Sequence, residues 1–253
     1  MPAADIPQLA VPRTVLVTGG SGGIGRACAM RLAALGATVA VGYNSRSEQA
    51  DEVVSSLPGT GHFALRVSME HSGTISEAAT AVGERLGFLD ALVNSGGATT
   101  PVPAGNLDAL TDDIFDRAVT LNLRGPFATI RAFRPLLERG QGAAIVNISS
   151  IAARTGTGSN LAYVAAKAGV DALTSALGKV LAPDIRVFSV SPAGVDTGFV
   201  PGRSREQLEQ TAERLPLRHV TTPDDVARAV VACIVNLTSS TGIVVPVDEG
   251  RHL

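Results

Sequence analysis

The sequence predicts an α/β fold, a parallel sheet of seven strands flanked on both faces by helices. Three observations predict it. Short β-branched apolar runs alternate with longer stretches of helical period, the pattern of strand, helix and strand units feeding one sheet. The strand candidates are almost continuously apolar, as strands covered on both faces are. Finally, 253 residues with 45% hydrophobic and only 17% charged side chains, at a mean hydropathy of +0.25, suffice for a large buried core.

In chain order the strands are expected at Thr14–Thr18, Thr38–Gly42, Phe63–Val67, Leu89–Val93, Ala144–Ile148, Ile185–Val190 and Ile243–Val247. Helices fill the gaps at Ile24–Leu35, Ser47–Leu57, Thr74–Leu86, Asp112–Glu138, Leu161–Leu181 and Pro223–Leu237. Thr222 can cap the last helix, since its hydroxyl accepts from an orphan N–H, and Pro223 loses no needed donor in a first turn. Pro246 lacks an N–H and so places its strand at an edge or an irregularity. The polar stretch Gly194–Arg218, with Pro201, Gly202 and Pro216, reads as a long mobile excursion of the kind that closes over substrates. No linker interrupts the alternation, so residues 1–253 are expected to form one domain.

A formal charge of −2 gives no reason to expect nucleic acid or an anionic membrane as partner. Cys28 and Cys233 lie far apart in apolar helical contexts and read as reduced core residues. His62, His71, His219 and His252 have no metal-like spacing, and no metal is expected. Met1–Pro12 lacks the pattern of a signal peptide and no stretch approaches a membrane span, which predicts a soluble cytoplasmic protein.

The first chemical signal is Thr18–Gly25, TGGSGGIG, which follows the first strand and opens a helix. Glycines there let a backbone approach a pyrophosphate, and a helix N-terminus offers unpaired N–H groups and partial positive charge. Gly19, Ser21, Gly23, Ile24 and Gly25 are the candidate contacts to a dinucleotide. The acidic residue that would bind the ribose hydroxyls of NAD is missing after the second strand. Asn44, Ser45 and Arg46 stand there instead, donors suited to a 2′-phosphate, so NADP(H) is favoured over NAD(H).

The second signal is Tyr163-Val-Ala-Ala-Lys167, whose spacing puts both side chains on one helical face. A nearby ammonium stabilises tyrosinate, so Lys167 is expected to lower the phenol's pKa from about 10 toward working pH and make Tyr163 a general acid or base.

With TGGSGGIG, Asn94-Ser-Gly-Gly97, Asn122, Ser150, Tyr163 and Lys167 together, nearly the whole chain resembles the short-chain dehydrogenase/reductase family. The resemblance implies a single Rossmann-type, doubly wound domain for dinucleotide binding and catalysis, and a homotetramer or dimer formed through the long helices. It also implies a catalytic set. Ser150, 13 residues before Tyr163, would bond the reacting carbonyl oxygen, and Tyr163 would supply the proton. Lys167 would hold the ribose, and Asn122 would anchor a water relay. Further cofactor contacts are implied at Ser68, Met69, Asn94, Gly96, Pro192, Val195 and Thr197. The chain departs from the family pattern at Ser95, at Ser68, where an aspartate often meets adenine, at Ala193 after Pro192, and at Glu249.

For the substrate, Thr99, Val102, Pro103, Arg154, Thr155, Leu161, Phe199 and Val200 would form a moderately apolar mouth without an anion clamp. A bulky or carrier-bound ketone fits better than a small acid, in line with the resemblance to 3-oxoacyl-carrier-protein reductases and polyketide ketoreductases. Arg124, Arg131 and Arg134 are candidate contacts for an acidic carrier protein. An NAD-dependent secondary alcohol dehydrogenase, a non-catalytic dinucleotide-binding regulator and a methyltransferase are the competing classes. A regulator needs no catalytic quartet, and a methyltransferase would want an acid near Gly42.

Overall fold

A computed structural model describes residues 11–253 of the chain; residues 1–10, and with them most of the leader reading for Met1–Pro12, lie outside the described residues. One sheet of seven strands organises the molecule, in the order β3-β2-β1-β4-β5-β6-β7. The strands are β1 (Thr14–Thr18), β2 (Thr38–Tyr43), β3 (Phe63–Arg66), β4 (Ala91–Asn94), β5 (Ala143–Ile148), β6 (Ile185–Pro192) and β7 (Ile243–Val247). All six pairings are parallel, as the sequence predicts, and the strand order reverses between β1 and β4. Such a reversal opens a crevice at the strands' carboxyl ends.

Alternate side chains of these strands enter two different cores, which is why the strands read as unbroken apolar runs. Val15, Val17, Val39, Val41, Val93, Val146 and Phe188 face one side. There they meet α1 (Gly23–Ala34) and α9 (Pro223–Val235), which contribute Cys28, Leu32, Val230 and Cys233. Leu16, Ala40, Leu92, Ile145 and Val187 face the other side, against α3 (Ser72–Leu86) and α5 (Gly125–Leu137). Both cysteines are buried free thiols, raised to about 12 for Cys28 and about 11 for Cys233 because burial opposes thiolate formation.

The remaining helices are α2 (Ser47–Ser56), α4 (Asp112–Val119), α6 (Ala152–Thr155), α7 (Leu161–Val180) and α8 (Arg205–Ala212). Thr222 caps α9 with Pro223 at its first turn, and Pro246 lies in the edge strand β7, both as expected. Two expectations change. The stretch read as one helix, Asp112–Glu138, is divided by a π-helical turn, Thr120–Arg124. The excursion Gly194–Arg218 holds a real helix, α8, started by a reciprocal capping box between Ser204 and Gln207. Among the described residues, no helix is long and apolar enough to cross a membrane.

Candidate active site

The glycine corner sits in the crevice between β1 and β4, and close backbone contact builds it. Gly19 has a φ of +64°, and a Cβ there would lie 2.9 Å from the backbone of Gly96. A Cβ on Gly25 would lie 2.2 Å from the Gly19 carbonyl oxygen, so no side chain fits where α1 leaves the corner. Thr18 braces the junction by accepting from the N–H groups of Ser95 and Gly96, each at 3.1 Å. At the start of α1, Gly22 offers no side-chain cap and the first turn carries no acid. Ser21 and Ile24 flank these free N–H groups, and Thr197 packs against Gly23 from across the crevice. A cradle without side chains and an uncapped helix N-terminus fit a dinucleotide pyrophosphate.

Toward the adenosine side, Asn44, Ser45 and Arg46 are exposed where β2 ends and α2 begins. Ser68 is buried at 1% exposure with its hydroxyl unpartnered, an orphan polar atom such as a ligand would satisfy. Met69 is a buried wedge beneath Gly96 and Gly125; a Cβ on Gly125 would lie 2.6 Å from its own Cβ. Asn94 donates from its side-chain amide to Asn147 Oδ1 at 3.0 Å. On the far wall, Pro192 ends β6, Ala193 donates its N–H to Val247, and Val195 accepts from Thr197 at 2.9 Å.

The catalytic candidates converge where β5 ends. Asn160 caps α7, accepting from the Tyr163 N–H at 2.6 Å while its amide donates to the Thr100 carbonyl at 2.7 Å. That capping fixes the helix face carrying Tyr163 and Lys167 against the loop after β4. The Ser150 hydroxyl accepts from Ala152 N–H at 3.2 Å and acts on the Tyr163 phenol to favour its ionised form. Lys167 lies over the Tyr163 ring, 5.6 Å from its centroid, and donates to the Ile148 carbonyl at 2.7 Å. Asn122 occupies the π-helical turn, a feature often found at functional sites, and its amide donates to Ala98 and Ala118 carbonyls at 2.8 and 2.9 Å. Its Oδ1 is buried without a partner, and a Cβ on Gly97 would come within 2.6 Å of it.

The electrostatics overturn one expectation. Tyr163 is not drawn down; burial pushes its phenol up to about 12, against the Ser150 hydrogen bond and the charge of Arg203. Lys167 sits over the ring face and is itself drawn down to about 8 by burial, opposed by Asp171. The helical spacing predicted the shared face; the depth of its burial is a tertiary property.

Phe199, from the excursion, packs on Tyr163 with ring centroids 5.8 Å apart, so this segment covers the catalytic face. Arg124 is exposed and donates to the Glu70 carbonyl at 2.9 Å and to Ser72 Oγ. Arg134 pairs with Glu138, and Arg131 lies over the Phe127 ring. Among the described residues, no three His, Cys, Asp or Glu side chains are grouped to hold a metal; His219 and His252 pair with Asp225 and Asp248. Sequence reasoning placed Thr18 in the glycine motif without a role of its own and did not find Asn160 or Asp171. Asn160 precedes a helical run and so carried a capping signal.

Residues 19–252 match the family model described as enoyl-(acyl carrier protein) reductase. The chain is 36% identical, over an alignment of 256 residues covering 99% of both chains, to the "Granaticin polyketide synthase putative ketoacyl reductase 2" of Streptomyces violaceoruber. It belongs to the short-chain dehydrogenase/reductase family. Another member, the 3-oxoacyl-acyl-carrier-protein reductase FabG of Staphylococcus aureus, is 33% identical across 86% of this chain and 89% of its own. A crystal structure of a dehydrogenase/reductase from Sinorhizobium meliloti 1021 superposes with a TM-score of 0.86 at 34% identity, covering 94% of each chain. The short-chain dehydrogenase/reductase is thus an oxidoreductase that works with a nicotinamide dinucleotide, on a Rossmann-type sheet.

Proposed function

We propose that residues 1–253 form one dinucleotide-binding and catalytic domain that uses NADPH to reduce the ketone of a 3-oxoacyl or polyketide-type substrate to a secondary alcohol. The observation that carries this reading is the Lys167 ammonium seated over the Tyr163 ring and held by the Ile148 carbonyl, with the Ser150 hydroxyl acting on the same phenol. The bound cofactor supplies the hydride. Two hydroxyls side by side polarise one carbonyl oxygen, and a phenol held near 12 keeps its proton at working pH, which suits donation to the developing alkoxide. Lys167 holds ribose hydroxyls and the positive charge that favours proton release from Tyr163. Asn122 anchors the Ala98 carbonyl and its own free Oδ1 beside the catalytic face for a water relay.

The glycine corner would hold the pyrophosphate with Gly19, Ser21, Gly23, Ile24, Gly25 and Thr197, while Ser68, Met69, Asn94, Gly96, Pro192 and Val195 line the remaining walls. Arg46, with Asn44 and Ser45, supports NADP, since all three are exposed donors with no carboxylate beside them in sequence. The kinship with ketoacyl reductases supports a ketone substrate. Residues 194–218 would close over it through Phe199. The exposed Phe115 and Phe127 on α4 and α5 support self-association through these helices.

A panel of ketones and alcohols, including acyl thioesters and fused-ring polyketides, followed by NADPH absorbance, tests the proposal. Ketone-dependent oxidation of NADPH is expected. Turnover only with NAD and secondary alcohols would support the alcohol-dehydrogenase reading, and dinucleotide binding without any turnover would support a regulator.

A further inference from the structure

The mechanism leaves one half-buried acid unused. Asp171 lies one helical turn beyond Lys167 on α7, and its Oδ1 is buried with no partner. It also borders a polar chain inside the molecule. The hydroxyls of Ser149 and Ser189 act on its carboxylate; Ser189 is bonded to Thr174 at 2.9 Å, Thr174 accepts from Asn147 at 3.1 Å, and Asn147 accepts from Asn94 at 3.0 Å. Ser149 adjoins Ser150, and its hydroxyl reaches the Lys167 carbonyl at 3.4 Å. One carboxylate on the helix that presents Lys167 is therefore under the influence of the hydroxyls at the strand end that presents Ser150.

We propose that Asp171 is a positioning residue for Lys167, a half-buried counter-charge one helical turn away that keeps the ammonium charged and seated over the Tyr163 ring. The inference rests on the role assigned to Lys167 above. A buried ion lacking a counter-charge loses its charge or its place. Around Lys167, Tyr163 and Asp171 come from α7, and the Ile148 carbonyl and Ser149 from the end of β5, while Arg203 of the excursion acts on the Tyr163 phenol. Of these, Asp171 is the group whose charge raises the Lys167 pKa, against the burial that lowers it to about 8. Reciprocally, Lys167 draws the Asp171 carboxyl down, while burial raises it by more.

The chain contains two lysines, Lys167 and Lys179, and Lys179 is exposed near the end of α7. Lysine labelled with carbon-13 at Cε therefore gives two resolvable NMR titrations, the second serving as an internal reference. In the full chain, without cofactor or substrate, Lys167 should titrate near 8. In Asp171→Asn its midpoint should fall by about 1 unit or more, the effect of removing one close opposite charge, with Lys179 unmoved. In the unaltered protein the Lys167 signal should show a second inflection on the acid side as Asp171 takes up a proton, which needs no variant to fold. An unchanged Lys167 midpoint in folded Asp171→Asn, or a wild-type signal without the acid inflection, would overturn the proposal. In turnover, Asp171→Asn should move the alkaline limb of kcat to lower pH with KM for the ketone unchanged. Because the NMR readout needs no substrate, it stands even if the substrate panel finds no turnover.

Discussion

The two ends of the cleft are built by opposite means. At the glycine corner, function depends on missing side chains: Gly19 and Gly25 let backbones approach within distances no Cβ tolerates. On α7, function depends on side chains that burial would ordinarily discourage, with Lys167 at 5% and Tyr163 at 9% exposure. The first end is a matter of shape, so its failure should appear as lost cofactor affinity and stability. The second is a matter of charge and protons, so its failure should appear as lost turnover in a well-folded protein.

The largest expected effect comes from the catalytic face. Tyr163→Phe removes the proton donor and keeps the ring packed on Phe199, so ketone reduction should fall by about 10²–10⁴-fold in steady-state assays while thermal unfolding is unchanged. At the corner, Gly25→Ala forces a methyl against the Gly19 carbonyl; thermal denaturation should show a loss of about 1–3 kcal/mol, and NADPH affinity should weaken by about tenfold or more. Gly22→Ala, where an added Cβ meets nothing within 4 Å, should stay within about 0.5 kcal/mol of the parent. An equal loss at both glycines would erase the distinction drawn for the corner.

Arg46→Ala should act on one phosphate alone. Fluorescence titration should show NADPH binding weakened by about tenfold and NADH binding unchanged, the loss of one charged hydrogen-bonding partner. Equal weakening of both would remove the 2′-phosphate assignment. The smallest effect is with pH. Lys167 loses its proton as pH rises through about 8, so reduction should decline above that value, whereas the phenol, near 12, stays protonated throughout. A flat profile from pH 7 to about 9.5 would mean that the Lys167 charge does not serve the proton transfer.

The same contrast explains what the sequence disclosed. Glycine spacing, strand runs and the Tyr163–Lys167 interval are local, so the corner, the seven strands and the shared helical face were legible. The π-helical turn was not, because Thr120–Arg124 contains no residue that breaks helical period; tertiary contacts of Asn122 with the Ala98 carbonyl accompany it. Helix α8 had a legible signal, Ser204 followed three residues later by Gln207, obscured by the prolines and charge around it. The direction of the Tyr163 pKa and the place of Asp171 depend on how deeply three chain segments bury one helix face. No spacing encodes that depth.

The most direct test of the account pairs two readings on Tyr163→Phe: NADPH affinity by fluorescence titration, and the single-turnover rate with a ketone that the unaltered enzyme reduces. The account predicts an affinity within about twofold of the parent and a rate lower by about 10²-fold or more. A rate near the parent's with the same affinity would contradict the assignment of Tyr163 as proton donor.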